Sequence, residues 1–343
     1  MDIRFFSENC AEAKAWDAYV AAQPAATSDH LWGWRRVLSE AFGYRPYYLG
    51  AVDDGRIVGI LPLFRIPRGW GAQALSSIPF GNYGGVCADS PEIGRALLES
   101  AKDLAQDTRA QHVALHHRRA LPMDSLQPQT LYHRFTMPLT GSSENHLRRM
   151  PRRVRYDINR ALRLGLEVIA SRDVTQLYPI HVRTFRRLGT PCFPQRYFEL
   201  ILQEFSPNAT IHFVAFQGRM IAYDVFLAFK DQLLCLFNGW LMPFRTYRPN
   251  TLLAWSAIES GCARQMTLLD FGRNRADSGA AEFKRSLGFT EEPLGYQYYL
   301  PTKAPVPQRN PSNPKYQLLI RLWSRLPLVL TQAMGPALVR YFA

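Results

Sequence analysis

The hydrophobic and polar positions of the chain follow one arrangement twice. Residues 47–64 and 211–229 each place two apolar, β-rich runs around a short turn that contains glycine, which predicts a β-hairpin. A helix-like stretch and a short apolar strand follow each hairpin, at 96–117 and 252–272. Because both units repeat in the same order, the pattern predicts an α+β protein of two tandem domains, each with a mixed sheet flanked by helices.

Polar and proline-rich stretches mark the predicted boundaries. The segment TGSSEN, residues 140–145, is polar and contains helix-capping residues, and residues 300–316 hold five prolines. We therefore expect a first domain over 1–140, a second domain over 141–300 that opens with an arginine-rich helix, and a proline-rich linker with C-terminal amphipathic helices over 301–343.

The net charge of the 343 residues is +13, and two segments carry almost all of it. Residues 145–163 contain seven arginines and one acidic residue, Asp157, while residues 293–343 contain six basic residues and no acidic one. Charge concentrated in this way indicates two directed contacts with anions and argues against general binding to nucleic acids.

The arginine-rich segment has the pattern of an amphipathic helix. At about 100° per residue, its seven arginines fall within an arc of roughly 160°, with an apolar side opposite. That apolar side consists of Leu147, Met150, Val154, Ile158, Ala161 and Leu162. Pro151 interrupts the first half, so the predicted helix runs from Pro151 to Leu164 and ends at Gly165. A contact with a polyanion is the favoured interpretation, and a solvated outer face is the alternative.

Several kinds of site are absent from the sequence. The five cysteines are widely spaced without a Cys-x-x-Cys pair, which indicates neither a disulfide framework nor a zinc site. His112 and His116 lie in a predicted strand, where their spacing separates them by about 13 Å, too far for one metal ion. Nucleophile-elbow, Walker and His-Glu-x-x-His motifs are missing. An acidic, interrupted N-terminus and the lack of a long apolar run predict a reduced, cytoplasmic protein.

Five stretches of the chain carry a resemblance to a known family. In the first half these are FGYRPYYLGAVDDGRIVGILPLF and SIPFGNYGGV, and in the second half GTPCFPQRYFELIL, YRPNTLLAWSAIESG and LLDFGRNRADSGAAEFKRSLGF. They resemble the FemAB-related branch of the GNAT acyltransferase superfamily, and most of all the FemAB-like proteins of exosortase/PEP-CTERM exopolysaccharide systems. The resemblance extends over nearly the whole chain and implies two GNAT-like domains.

The resemblance implies roles for particular basic residues. Better-known relatives transfer an aminoacyl group from aminoacyl-tRNA to the amine of a peptidoglycan precursor, and their basic segment between the domains is similar to Arg153, Arg155 and Arg160. These arginines are expected to hold a diphosphate or a tRNA backbone, because guanidinium groups bind phosphate bidentately. Lys284 matches a recurring lysine and is expected to stabilise an oxyanion or a phosphate, with a surface lysine as the alternative.

Two loops supply further candidates. FGNYGGV is expected to expose Asn82 and Tyr83, and in the resembled fold this loop faces the acceptor. In LDFGRN, Asp270 ends a predicted strand, and the sequence leaves three roles open for it: orienting a substrate amine, acting as a base, or capping the following turn. Gly272 is expected to let the backbone approach a ligand closely, and Arg273 to extend the cationic site.

The acyl donor stays open between two classes. GNAT acetyltransferases bind the pyrophosphate of coenzyme A at a Gly-rich turn that opens a helix. The corresponding segment FRTYRPNTLLAW has no glycine and places Arg248, Pro249 and Asn250 there. Arg248 and Asn250 are therefore predicted to bind substrate, and the departure favours aminoacyl-tRNA without excluding acyl-CoA. We expect no tightly bound cofactor and no metal.

Together these features predict an acyl- or aminoacyltransferase that acts on a phosphate-bearing or lipid-linked precursor of the cell envelope or of an exopolysaccharide. The alternative is a non-catalytic GNAT-fold scaffold that tethers an exopolysaccharide assembly complex to the membrane. The leucines and arginines of residues 318–330 would suit a helix lying on the anionic surface of the inner membrane. Docking on the protein's own surface is the alternative for this tail.

Overall fold

The computed structural model describes residues 1–7, 10–69, 71–302, 306 and 314–343. The strands are β1 (Asp2–Phe6), β2 (Arg45–Asp53), β3 (Arg56–Gly69), β4 (Ala72–Ser76), β5 (Cys87–Ala88), β6 (Val113–His117), β7 (Gln127–Gln129), β8 (Tyr132–Pro138), β9 (Leu166–Ser171), β10 (Ala209–Phe216), β11 (Arg219–Phe229), β12 (Gln232–Trp240), β13 (Leu268–Arg275), β14 (Thr290–Pro293) and β15 (Gly295–Tyr299). The α-helices are α1 (Cys10–Ala22), α2 (Trp34–Phe42), α3 (Pro91–Asp107), α4 (Ser143–Arg149), α5 (Arg152–Arg163), α6 (Val174–Leu188), α7 (Gln195–Glu204), α8 (Pro249–Ala263), α9 (Gly279–Ser286), α10 (Pro314–Arg325) and α11 (Leu328–Val339). Short 3-10 helices span Ser28–His30 and Met242–Tyr247.

The chain forms two compact units. Unit 1 holds the described residues of Met1–Tyr132, 293–309 and Arg340–Ala343, and unit 2 holds those of His133–Glu292 and 310–339. This division differs from the predicted boundaries at 140 and 300, because β8 belongs to the sheet of unit 2 and β15 to the sheet of unit 1. Most of the predicted proline-rich linker lies outside the described residues.

Unit 1 is built on a mixed sheet in the order β1-β2-β3-β4-β6-β15-β7, with β5 paired to β3. Strands β1 to β4 are antiparallel to their neighbours, and β6 joins parallel to β4. The turn of the β2–β3 hairpin requires positive φ angles of 45° at Asp54 and 75° at Gly55, the second of which glycine adopts without strain. Leu97 and Leu98 of α3 pack in one core with Leu61 of this hairpin.

Unit 2 repeats this arrangement. Its sheet has the order β14-β8-β13-β12-β11-β10-β9, in which β9 to β12 are antiparallel to their neighbours and β13 joins parallel to β12. The connecting helix α8 is apolar on nearly all sides, and Leu252, Leu253 and Ile258 are buried in the core with Phe226. The repeated sequence of hairpin, helix and strand confirms the predicted architecture of tandem α+β domains.

Strands β12 and β13 pair over only three residues each. Their register runs from Gln232 opposite Leu268 to Leu234 opposite Asp270, and the described parts of the two strands have no further pairing. The remainder of β12, from Cys235, therefore separates from the remainder of β13. This separation opens a gap in an otherwise continuous sheet.

The arginine-rich segment folds as two helices, α4 and α5, with Pro151 between them. Helix α5 ends just before Gly165, whose φ is 82°, as the sequence predicts. Its buried residues are Val154, Ile158 and Ala161. Leu162 was expected on this buried side but is 49% exposed. The buried positions follow the spacing i, i+4, i+7, so Leu162 lies at the edge of a narrower stripe than predicted.

The last two helices, α10 and α11, pack on α6. The Nε group of Arg186 donates a hydrogen bond of 2.6 Å to the carbonyl oxygen of Leu326. Thr331, Gly335 and Val339 of α11 are buried. One face of the tail thus docks on the protein itself, which is one of the two predicted alternatives. Within the part of the chain that the structure describes, no helix has the length and apolar character to cross a bilayer.

Candidate functional site

A cavity of about 790 Å³ lies in unit 2 where β12 and β13 separate. β12 and β13 line its two sides, and the end of α6, the start of α8 and helix α9 complete it. The polar residues that line the cavity are Thr184, Arg187, Asn238, Arg245, Arg248, Asn250, Thr251, Arg273, Asn274 and Lys284. Four predicted site residues, Arg248, Asn250, Arg273 and Lys284, are therefore brought together.

The cavity wall carries positive charge only. Four arginines and one lysine line it, and none of its described lining residues is an aspartate or glutamate. Arg187 is held with its guanidinium carbon 4.0 Å from the centroid of the Trp240 ring, and burial lowers the pKa of Arg187. Arg248 lies with Nε 3.7 Å from a carboxylate oxygen of Asp157. Such a wall suits a ligand with phosphate or carboxylate groups.

The start of α8 supplies the phosphate-binding candidates Arg248 and Asn250. Arg248 precedes the helix with a φ of 60°, a left-handed conformation that is uncommon for arginine. Pro249 occupies the first position of the helix and has no N–H to offer to an anion. The groups that this helix start could offer to an anion are therefore mainly side chains, in place of the backbone amides of a Gly-rich turn.

Lys284 is buried beside the gap, which rules out the surface-lysine alternative. Helix α9 is capped by Ser278, and Lys284 follows on its inner face with 8% of its surface exposed. Its ammonium group donates to the carbonyl oxygen of Phe271 and to Oδ1 of Asn274. Burial lowers the pKa of Lys284 to about 8, against the opposing effects of Cys235, Asp270 and Asp224. Lys284 thus places one donor group at the point where the strands diverge.

Asp270 does not line the cavity. Its Oδ1 accepts a hydrogen bond of 2.7 Å from the N–H of Gly272, and its Oδ2 lies 3.6 Å from a guanidinium nitrogen of Arg134. Of the three roles left open by the sequence, this contact with the backbone N–H of Gly272 is nearest to capping, but the expected turn is absent because β13 continues through both residues. Gly272 has a φ of 63°, and its N–H is engaged by Asp270.

Sequence reasoning missed a buried carboxylate at this site. Asp224 on β11 is fully buried, and its Oδ1 accepts a hydrogen bond from the side-chain amide of Asn238, which lines the cavity. Its Oδ2 has no hydrogen-bond partner among the described residues. Burial raises the pKa of Asp224 to about 7, while Asn238 and Lys284 act in the opposite direction. The available signal was an aspartate inside the apolar strand MIAYDVFLAF.

The cavity also contains a thiol, that of Cys235. Burial raises the pKa of the Cys235 thiol, and Asp224 adds to this effect. A thiol with a raised pKa stays protonated near neutral pH, and the thiolate is the nucleophilic form. Cys235 is therefore poorly suited to form a covalent acyl intermediate.

The arginines Arg153, Arg155 and Arg160 do not line the cavity. Arg153 is exposed, whereas Arg155 and Arg160 are half-buried. Arg160 donates a hydrogen bond of 2.8 Å to the carbonyl oxygen of Thr246, in the 3-10 helix that carries Arg245. The structure thus gives Arg160 a supporting contact beside the cavity, and leaves Arg153 on an outer helix face.

Asn82 and Tyr83 were expected to be exposed, and this prediction is wrong. Their exposed fractions are 7% and 4%. One carboxylate oxygen of the buried Asp29 accepts hydrogen bonds of 2.7 Å from the N–H groups of both residues, and the Tyr296 hydroxyl donates to the carbonyl oxygen of Asn82. The loop turns inward in unit 1 because the backbone of this polar segment finds its partners there.

Comparisons with known proteins agree with the fold. Residues 148–285 match the family model of the acetyltransferase (GNAT) domain. No curated protein matches the sequence. The crystal structure of FemX is similar over 93% of this chain and 100% of its own, with 15% identity and a TM-score of 0.68. A tandem GNAT protein from the clavulanic acid biosynthesis pathway is similar over 89% and 99%, with 14% identity and a TM-score of 0.56.

A third similar structure is the C-terminal domain of a putative lysylphosphatidylglycerol synthetase from Agrobacterium fabrum. It is similar over 84% of this chain and 91% of its own, with 11% identity and a TM-score of 0.56. The family match shows a GNAT-type acetyltransferase domain over residues 148–285, and the shared folds confirm the predicted architecture of tandem GNAT-like domains. They do not bear on an association with exosortase systems.

Proposed function

We propose that this GNAT-type acyltransferase moves an acyl or aminoacyl group from an activated donor to an amine or hydroxyl of a phosphate-bearing cell-envelope precursor. The cavity of unit 2 carries the proposal: it opens where β12 and β13 separate, and four arginines and the buried Lys284 line it. An exopolysaccharide precursor is the acceptor that the sequence resemblance implies.

The donor would lie in the gap between the two strands. Strand residues beyond the paired region have backbone groups directed towards this gap, and an extended donor segment can pair with such groups as an added strand does. Arg245 and Arg248 at the start of α8, together with Arg187 and Arg273, supply guanidinium groups for the donor's phosphates. The wall is wide and charged enough for either acyl-CoA or the acylated end of a tRNA, and the absence of glycine before Pro249 favours the latter.

The chemical step we propose is direct attack without an acyl-enzyme. The acceptor nitrogen or oxygen forms a bond to the acyl carbon, and the bond from that carbon to the donor's sulfur or ribose oxygen breaks. The leaving group takes up the proton that the acceptor loses. The protonated state of Cys235 supports this route over a covalent one.

Lys284 is the proposed oxyanion stabiliser. In a buried site a fixed ammonium group interacts strongly with charge that develops on the acyl oxygen. Its pKa of about 8 still leaves most of the group protonated near neutral pH. Asp224 would keep the amide of Asn238 in a fixed orientation at the cavity wall through their hydrogen bond.

The arginines of α5 would act outside the cavity. Arg153 and Arg155 are proposed to hold the phosphates of the acceptor or the backbone of a donor tRNA, and Arg160 to support the 3-10 helix that carries Arg245. The similar fold of the C-terminal domain of a putative lysylphosphatidylglycerol synthetase favours an acceptor from the cell envelope.

A transfer assay with two donors tests the proposal. Radiolabelled acetyl-CoA and radiolabelled aminoacyl-tRNA are each incubated with the protein and with an extract of lipid-linked and soluble envelope precursors, and Lys284→Met serves as the blank. We expect the wild type, but not Lys284→Met, to transfer the label from one of the two donors. Absence of transfer from both donors would contradict the proposal, and absence of donor binding as well would favour the scaffold alternative.

A further inference from the structure

Helices α10 and α11 present an apolar face to solvent. Leu318, Leu319 and Leu322 of α10 are 59%, 61% and 53% exposed, and Val329 of α11 is 77% exposed. Large apolar side chains this exposed and this close along the chain are unusual on a soluble surface and mark a site of interaction. We call the exposed apolar residues of these two helices the tail surface.

The exposed apolar residues form one contiguous stripe along each helix. On α10, the three leucines fall within an arc of roughly 100°. On α11, the exposed residues other than Gln332 are apolar: Val329, Leu330, Ala333, Met334 and Ala337. The whole of α11, Leu328–Val339, contains no charged residue. Such a face is built for an apolar environment rather than for water.

The opposite sides of the same helices are already engaged with unit 2. Thr331 and Gly335 are buried, and Arg186 of α6 binds the carbonyl oxygen of Leu326. Ile320 packs so closely on Gly189 that a Cβ atom there would lie 2.3 Å from Cγ2 of Ile320. The helices are therefore held in place, and folding of the described residues leaves the tail surface uncovered.

Charge decides which partner suits the tail surface. Arg321 and Arg325 are exposed and lie next to the leucine arc of α10. Residues 293–343 contain no aspartate or glutamate. A second copy of the chain would bring arginines against arginines in a symmetric pair, whereas an anionic lipid surface offers both an apolar layer and negative headgroups.

We propose that the tail surface seats unit 2 on an anionic bilayer, with α10 and α11 lying in the plane of the interface. The leucines and Val329 enter the boundary between headgroups and acyl chains, and Arg321 and Arg325 contact the lipid phosphates. Neither helix spans the membrane.

The position of the tail surface also indicates the side from which an acceptor reaches the cavity. This step of the inference rests on the proposed function. Leu188 lines the cavity and is 55% exposed, and the next residue, Gly189, contacts Ile320 of α10. A bilayer seated on α10 would lie beside this rim of the cavity. An acceptor carried on a lipid anchor would then reach the acyl donor from the membrane side.

Vesicle co-sedimentation tests the proposal without depending on catalysis. The full chain is mixed with vesicles of phosphatidylcholine alone, or of phosphatidylcholine with phosphatidylglycerol, at low and high salt. We expect binding to the anionic vesicles that weakens with salt. Binding should be at least roughly tenfold weaker for Leu318→Glu/Leu322→Glu, because two apolar contacts are lost and two negative charges oppose the attraction of Arg321 and Arg325.

The matched control is Val168→Glu/Ile169→Glu, two exposed apolar residues of β9 in the same unit. This control should bind vesicles as the wild type does, and equal melting temperatures of all three proteins show that folding is intact. Equal binding of the leucine variant and the wild type would overturn the proposal. The proposal would also be overturned if the wild type did not bind vesicles but formed a concentration-dependent dimer that Leu318→Glu/Leu322→Glu does not form. A wild type that binds vesicles but transfers no acyl group would refute the proposed function and leave the membrane surface standing.

Discussion

Replacing Lys284 by methionine removes the ammonium group and keeps the apolar length of the side chain. In the wild type this ammonium donates to the carbonyl oxygen of Phe271 and to Asn274, where β13 leaves β12. In the proposed reaction it donates to the developing oxyanion. Loss of one such donor lowers kcat by roughly 100- to 1,000-fold. The KM for the acceptor should change little, because the oxyanion contact forms only in the transition state.

The same substitution changes how stability depends on pH. Burial lowers the pKa of Lys284 from 10.5 to about 8, so the unfolded chain binds a proton at this residue more tightly than the folded chain does. The free energy of unfolding of the wild type therefore rises with pH across the window from about 8 to 10.5. The rise amounts to at most roughly 3 to 4 kcal/mol, since one pKa unit corresponds to about 1.4 kcal/mol. Lys284→Met should lack this contribution.

Two measurements check these expectations. Steady-state kinetics near neutral pH give kcat and KM, and urea unfolding at both ends of the pH window gives the change in stability. Lys230→Met is the matched control, because Lys230 is an exposed lysine in a turn of the same unit. A kcat of Lys284→Met within about twofold of the wild type would refute the oxyanion role. A pH slope that persists unchanged in Lys284→Met would refute its assignment to this residue.

Three further substitutions address separate parts of the account. Burial raises the pKa of Asp224 from 3.8 to about 7, so the folded state holds this proton more tightly than the unfolded chain does. The free energy of unfolding of the wild type therefore falls as pH rises through that window. Above pH 7, Asp224→Asn should be more stable than the wild type by up to about 4 kcal/mol in urea unfolding. A less stable Asn variant would contradict the pKa direction. Gly189→Ala should lower stability by about 2 kcal/mol, because Gly189 has a φ of 71° and faces Ile320; an unchanged melting temperature would mean that α10 does not pack there. Cys235→Ala should keep turnover near the wild-type value, and a loss as large as that of Lys284→Met would indicate a covalent route.

Much of the fold follows from local patterns in the sequence. The two hairpins, each followed by a helix and an apolar strand, are set by alternation of apolar residues and by the turns at Gly55 and Gly218, so periodicity alone predicts them. The ends of α5 follow from Pro151 and Gly165 for the same reason. The pairing of β8 in unit 2 and of β15 in unit 1 is a long-range choice between sheets, and no local signal encodes it.

The candidate site was predicted in part, because some of its residues belong to local sequence motifs whereas others are placed by residues far away in the sequence. Arg248, Asn250 and Lys284 follow motifs of the resembled family, and the structure brings them to one cavity. Asn82 and Tyr83 looked exposed because their loop is polar and rich in glycine, but Asp29, far away in the sequence, binds their backbone N–H groups. Asp224, like these, depends on tertiary partners that sequence spacing does not show.

We propose above all that the cavity of unit 2 binds a phosphate-bearing acyl donor. Native mass spectrometry of gently purified protein tests it most directly, with the variants Arg245→Ala/Arg248→Ala and Arg153→Ala/Arg155→Ala measured beside the wild type. We predict that the wild type carries a bound acyl-CoA or tRNA and that Arg245→Ala/Arg248→Ala loses it. If the donor is acyl-CoA, Arg153→Ala/Arg155→Ala should retain it. A donor retained equally by Arg245→Ala/Arg248→Ala, or a wild type that binds neither donor when it is added in excess, would contradict the proposal.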